Sequence, residues 1–139
     1  MRLDLGLPLP SPARDGDAGL DLLAREGCVL APGGGRAAVP TGIGLALPPG
    51  HVALVMPRSG LALRHGVTCL NAPGVVDAGY RGEISVVLVN TDPSEKFEVR
   101  RGDRVAQLVV QRFERVIWRP VADLPPSPRG TGGFGSTGS

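Results

Sequence analysis

Short apolar runs, separated by clusters of Gly, Pro, Asp and Ser, recur along this chain, and within most of them apolar and polar positions alternate. Alternation with period two marks a strand with one buried face, and Gly/Pro punctuation marks the turns between strands. On this pattern the sequence predicts strands over residues 2–9, 18–24, 28–30, 37–39, 43–47, 51–56, 97–99, 104–111 and 114–118. Residues 83–90, EISVVLVN, are apolar almost without interruption, which predicts a central, buried strand. Residues 90–94, NTDPS, read as a turn with proline at a permitted place. Residues 59–65, SGLALRH, suit instead a helix of about two turns. Ser59 is the expected cap of that helix, and Gly66 stands where a left-handed terminating residue is wanted. Many short strands and one short helix predict an all-β barrel or sandwich.

Composition narrows this picture. A chain of 139 residues suits one domain with one core. With 3 Phe, 1 Tyr and 1 Trp, that core must be built from Val, Leu, Ala and Ile. The composition shifts after Leu124: Pro125-Pro126-Ser127-Pro128 is a stiff linker, and RGTGGFGSTGS follows as a Gly/Ser-rich tail. The expected organisation is therefore a β domain over 1–124, with a linker and flexible tail over 125–139. By composition alone the tail is a disordered end.

The formal net charge of +2, with both signs interspersed, is not the field of a dedicated nucleic-acid binder. No apolar run approaches the length of a membrane span, and MRLDLGLPLP carries charge and proline inside its apolar part, unlike a signal peptide. Cys28 and Cys69 lack CxxC spacing, so thiolate metal binding is not expected. These features predict a cytoplasmic protein with two free thiols, no nucleic-acid partner and no membrane contact.

Chemistry concentrates in residues 71–84, NAPGVVDAGYRGEI, where one carboxylate, Asp77, sits in an apolar run bounded by Pro73-Gly74 and Gly79. A strand with a tight turn would give a hairpin there, its main chain facing a ligand, and Gly82 allows a second close backbone approach. A solvated loop Asp beside a half-buried Tyr is the plainer alternative. Asp21, in AGLDLL, is either a solvent-facing residue placed by alternation or a cation ligand. Arg58-Ser59-Gly60 opens the helix, where backbone N–H groups attract anions, although a simple cap with a surface Arg explains it as well. Gln107, within VAQLVV, needs polar partners. The tail has no GK[ST], so it is not a Walker-type phosphate loop.

Residues 71–84 resemble the third signature motif of the trimeric dUTP pyrophosphatases, the dUTPases. Four more stretches resemble that family's remaining motifs in the same order: AGLDL (18–22), PRSGLA (57–62), GDRVAQL (102–108) and RGTGGFGSTG (129–138). The resemblance spans residues 18–138, and five motifs in order are far more specific than any one. It implies a jelly-roll-like β-barrel, a homotrimer whose active sites are each built from three chains, and hydrolysis of dUTP to dUMP and pyrophosphate.

The resemblance also implies roles for individual residues. Asp77 would be the general base that deprotonates a water for attack on the α-phosphorus. Asn71 would read uracil through its amide, which donates and accepts at once, helped by the main chain of Gly74, Val75 and Val76. Tyr80 would pack on the sugar and exclude a 2′-hydroxyl, with Ser85 a further substrate contact. Arg58, Ser59, Gly60 and Gln107 would hold the phosphates. Asp21 would hold magnesium (Mg2+), itself bound mainly by the triphosphate, through water. The tail would close over the nucleotide, with Arg129 at the γ-phosphate, Phe134 on uracil, and Gly135, Ser136 and Thr137 around the phosphate oxygens. A dCTP deaminase or bifunctional relative is the alternative on the same fold. Against it stand the missing general-base Glu and Gly60 where a second Ser tends to occur. A non-catalytic nucleotide-binding trimer is the alternative from another class.

Overall fold

The computed structural model describes residues 1–132 of the chain. Nine strands and one helix appear in the order β1 (Leu20–Leu23), β2 (Cys28–Leu30), β3 (Arg36–Pro40), β4 (His51–Met56), α1 (Ser59–His65), β5 (Val67–Cys69), β6 (Gly74–Val76), β7 (Ser85–Asn90), β8 (Phe97–Val99) and β9 (Arg104–Arg112). They form three antiparallel sheets, ordered β1-β9-β4-β6, β3-β7-β5 and β2-β8. This is the expected all-β, jelly-roll-like architecture with one short helix.

The inward positions of the alternating runs supply the core. Leu22, Leu30, Val39, Val67, Val86, Leu88, Val99, Val105 and Leu108 are all fully buried, and all are aliphatic. Truncating one such leucine to alanine costs ~2–5 kcal/mol. As its apolar run predicted, β7 is the middle strand of its sheet. It ends on Asn90, whose buried side chain donates to the carbonyls of Leu30 (3.3 Å) and Glu95 (2.8 Å) and accepts from Asp92 N–H (3.0 Å). One amide thus ties β2 and the 90–95 turn to β7, each of its polar atoms satisfied.

Four expectations about strands and their pairing change. Residues 2–9 form turns rather than a strand, with only an Arg2–Ile43 bridge. Here the Asp4 carboxylate accepts Gly6 N–H (2.8 Å), a local bond that competes with a ladder. Residues 43–47 are no regular strand either, because Gly42 turns the backbone to φ 73°. The pairing survives irregularly: Thr41 N–H donates to Ile84 O, Ile84 N–H to Ile43 O and Gly44 N–H to Met1 O. Residues 71–84 do not make a hairpin, since β6 pairs with β4 and the chain then crosses to β7 in another sheet. Among the described residues no strand follows β9, so residues 114–118 lack their expected strand. Val116, Ile117 and Trp118 are 69%, 85% and 88% exposed. A strand forms only where it pairs with an edge, and among the described residues 114–118 meet none of the open sheet edges.

The helix has its expected bounds, and Gly66 terminates it at φ 62°. Its N-cap, however, is Arg58 in extended conformation, without a side-chain capping bond. Ser59 is the first helical residue, so its hydroxyl is not used as the expected cap. No helix among the described residues is long and apolar enough to cross a membrane.

Candidate active site

Two clefts carry the polar residues singled out in the sequence. The first begins with β6, which adds Gly74, Val75 and Val76 to the edge of the large sheet opposite Val55, Leu54 and Ala53. Directly after β6 the chain turns at Asp77, whose carbonyl accepts Tyr80 N–H (3.0 Å). Arg81 Nη1 donates to the carbonyls of Ala78 (2.6 Å) and Tyr80 (2.8 Å), stiffening that turn from outside. Asn71 reaches back across Gly74: a Cβ on Gly74 would stand 3.4 Å from Asn71 Nδ2. The result is a cleft of about 210 Å³ lined by Asn71, Asp77, Tyr80 and Ser85, with the β6 backbone and Val87 behind them. Its walls are about equally polar and apolar, and it holds one carboxylate, one amide and one phenol from the expected set.

The second cleft, about 450 Å³, lies where β1 and β4 flank β9. Register decides its chemistry. Asp21 and Met56 both stand opposite Gln107, so the three side chains share one face of the sheet. Arg58 follows two residues after Met56 and brings in the start of α1. Gln107 Nε2 donates to Pro57 O (3.0 Å), while its Oε1 lies over Gly19, at which a Cβ would come within 2.4 Å. Asp21 is paired on both oxygens, to Arg58 Nε at 3.3 Å and Arg104 Nε at 3.5 Å. With Ser59, Gly60 and Arg64 also in the lining, this cleft suits a polyanion.

No residue lines both clefts. The structure thus assembles Asn71, Gly74, Val75, Val76, Asp77, Tyr80 and Ser85 in one place, and Asp21, Arg58, Ser59, Gly60 and Gln107 in another. Arg129 joins neither; its Nε bonds Gly132 O (2.9 Å) in an exposed turn. Phe134, Gly135, Ser136 and Thr137 lie outside the described residues.

Sequence reasoning passed over several residues. Arg64 lines the second cleft because it stands four residues after Gly60 on the same helix face; that spacing was legible. Gly19 and Glu83 lie inside the stretches 18–22 and 71–84, but the sequence alone assigns neither a role of its own. Asp4, near the start of the chain, is held down at about 2 by the Arg101 guanidinium and the Gly6 N–H. Burial pushes Cys69 up to about 11 and Cys28 up as well, so both free thiols are poor nucleophiles.

Comparisons with known proteins agree with this geometry. A family model described as dUTPase matches residues 6–138. A deoxyuridine 5′-triphosphate nucleotidohydrolase of Thermobifida fusca is 61% identical over 99% of this chain and 76% of its own length. The Streptomyces avermitilis protein of the same name is 58% identical over 99% and 78%. Among solved structures, a Staphylococcus bacteriophage 80alpha dUTPase with dUpNHpp superposes with TM-score 0.88 at 25% identity, covering 100% of this chain and 96% of that one. A mutant dUTPase from phage phi11 of S. aureus, described as coordinating a structural Mg(II) ion, gives TM-score 0.79 at 22% identity over 91% and 97%.

Proposed function

Because this chain belongs to the dUTPase family, we propose that its two clefts form the halves of one active site that hydrolyses dUTP to dUMP and pyrophosphate. The observation that carries the reading is the first cleft, where the Asp77 carboxylate, an amide and a phenol line the backbone of the edge strand β6. The Asn71 amide and the β6 main chain present donors and acceptors together, which suits the edge of uracil but not that of cytosine. The close packing of Asn71 over Gly74 supports exclusion of a 5-methyl group. Tyr80 packs on the sugar and leaves no room for a 2′-hydroxyl, and Ser85 is a further contact.

Asp77 is the general base. It accepts a proton from a water as that water attacks the α-phosphorus; the bond from the α-phosphorus to the α,β-bridging oxygen breaks, and pyrophosphate leaves. Arg58, Ser59, Gly60 and Gln107 neutralise and orient the phosphates. Arg129 meets the γ-phosphate, and Phe134, Gly135, Ser136 and Thr137 close over the nucleotide.

Magnesium fits the second cleft as an ion carried by the triphosphate. No group of three or more His, Cys, Asp or Glu that could hold a metal occurs among the described residues. Asp21, already sharing its oxygens with two arginines, suits contact through water. The ion would supply charge neutralisation on the phosphates.

The separation of the clefts within one chain supports a homotrimer in which one protomer's first cleft faces another's second. So does the apolar surface of Val116, Ile117, Trp118, Val121 and Leu124, all exposed in the isolated chain. A cytoplasmic location agrees with the two free thiols. The test is to incubate dUTP, dCTP and UTP separately with Mg2+ and identify the products. Pyrophosphate and dUMP from dUTP alone are expected. A uracil nucleotide from dCTP would mean a deaminase, and no turnover would mean a binding protein.

A further inference from the structure

Tyr80 sits on an exposed loop, yet its ring is fixed. The phenol donates to the main-chain carbonyl of Glu83 (2.9 Å), and the ring folds back over Gly82. A Cβ at position 82 would meet Tyr80 Oη at 2.4 Å and Cζ at 2.6 Å, so only glycine leaves room for this rotamer. The ring is therefore no better placed than the Glu83 carbonyl that tethers it.

Glu83 itself lines the cleft, but the groups that anchor it, Gly42 and Arg25, lie outside that lining. The Glu83 carboxylate accepts Gly42 N–H (2.7 Å) through Oε1, and Arg25 Nη1 lies 3.3 and 3.1 Å from its two oxygens. The next residue, Ile84, is bonded on both sides, its N–H to Ile43 O and its carbonyl to the Thr41 N–H and hydroxyl. Arg25 is held in turn: its N–H donates to Pro40 O (2.8 Å), and its carbonyl accepts from Arg101 Nη1 (2.8 Å). Arg101 also pairs with Asp4, fastening the start of the chain to the same assembly. A half-buried ion pair in such a network limits movement of everything bonded to it.

Resting on the reading of this cleft as the deoxyuridine site, we infer that Glu83 and Arg25 are positioning residues for sugar discrimination, acting through the Tyr80 hydroxyl. Neither needs to touch the 2′ position. Together they decide where the ring stands, and so how sharply a ribose is refused. A side chain free to rock by an ångström admits a hydroxyl group that a fixed one rejects.

The experiment compares kcat/KM for dUTP and UTP in the wild type, Tyr80→Phe, Glu83→Gln, Arg25→Ala, Arg25→Lys and the double variant Tyr80→Phe/Glu83→Gln. Tyr80→Phe keeps the ring and removes its tether, so the dUTP/UTP ratio should fall about tenfold. Glu83→Gln keeps an acceptor for Gly42 but loses the charge pair, and with Arg25→Ala it should lower the ratio about fivefold, chiefly by lowering KM for UTP. Arg25→Lys should restore most of the loss. In the double variant the second change should move the ratio less than twofold beyond Tyr80→Phe, because the tether it acts through is already gone. Unchanged ratios in the single variants, or two full effects multiplying in the double, would overturn the inference while dUTP turnover by the wild type upholds the cleft assignment. A wild type that does not turn over dUTP would overturn both.

Discussion

Gly19→Ala probes how the Gln107 amide is held at the floor of the second cleft. An alanine Cβ there would lie 2.4 Å from Gln107 Oε1, 3.4 Å from its Cδ and 3.6 Å from its Cβ, so the three nearest atoms all belong to one side chain. Backbone strain is not at issue, because Gly19 has no positive φ. Restoring an ordinary contact moves the amide by about 1 Å and breaks its 3.0 Å bond to Pro57 O. Loss of one partly buried hydrogen bond costs ~0.5–1.5 kcal/mol, which for a chain of this size lowers Tm by roughly 2–6 °C. The effect on activity should be larger. Gln107 faces Asp21 across the ladder, and a displacement of about 1 Å in a group that orients substrate lowers kcat/KM by up to about a hundredfold. Calorimetry and a pyrophosphate-release assay read the two effects separately. Gly19→Ala in a Gln107→Ala background should add nothing, since the clashing atoms are gone. An unchanged kcat/KM, a Tm fall well beyond this range, or full additivity in the double variant would refute the reasoning.

Asp77→Asn should retain the fold and dUTP binding, while turnover falls about 10²–10⁴-fold, because an amide cannot take the proton from water; near-normal turnover would remove Asp77 from the base role. Stopping the chain after Pro128 should leave Tm unchanged within error, since the residues from Arg129 to Gly132 bury nothing in the core, yet turnover should drop steeply; sedimentation with the same assay checks both. Asp4 titrates below its ordinary value of 3.8, at about 2, so its contribution to stability is present above 3.8 and disappears as pH falls toward 2. Asp4→Asn lacks that contribution, so the Tm gap between variant and wild type should close across this acid window; a gap independent of pH would place the cause outside the Asp4 charge. Cys69, buried and raised to about 11, should resist iodoacetamide in the folded protein and react on unfolding, as intact-mass measurement would reveal.

Residue periodicity by itself determined most of the secondary structure. The bounds of β2, β4, α1 and β8 follow from it, because each is a short run of one period, closed off by Gly or Pro or, for β8, by charged residues. The central place of β7 was equally legible, since an unbroken apolar run can be satisfied only with cover on both faces. The motif spelling at Asp21, Arg58, Asn71, Asp77, Tyr80 and Gln107 was legible for a different reason: polar side chains set at turns, or inside otherwise apolar strands, have little to do with packing.

Other features were decided only by the tertiary structure. Residues 2–9, 43–47 and 114–118 alternate well enough to be strands, but a strand exists only where another strand edge meets it, and sequence spacing does not reveal that edge. Ser59 has the chemistry of a cap, yet the chain enters the helix one residue earlier. The division of the motif residues between two clefts depends on long-range register, above all Asp21 opposite Gln107 and Val75 opposite Leu54. The tether from Arg25 through Glu83 to Tyr80 spans residues 58 apart, and it arises because folding carries Gly42, Arg25 and Glu83 to one place. Local propensity acts within a few residues along the chain. Pairing and ion-pair networks act across space, so they become readable only once the chain has closed on itself.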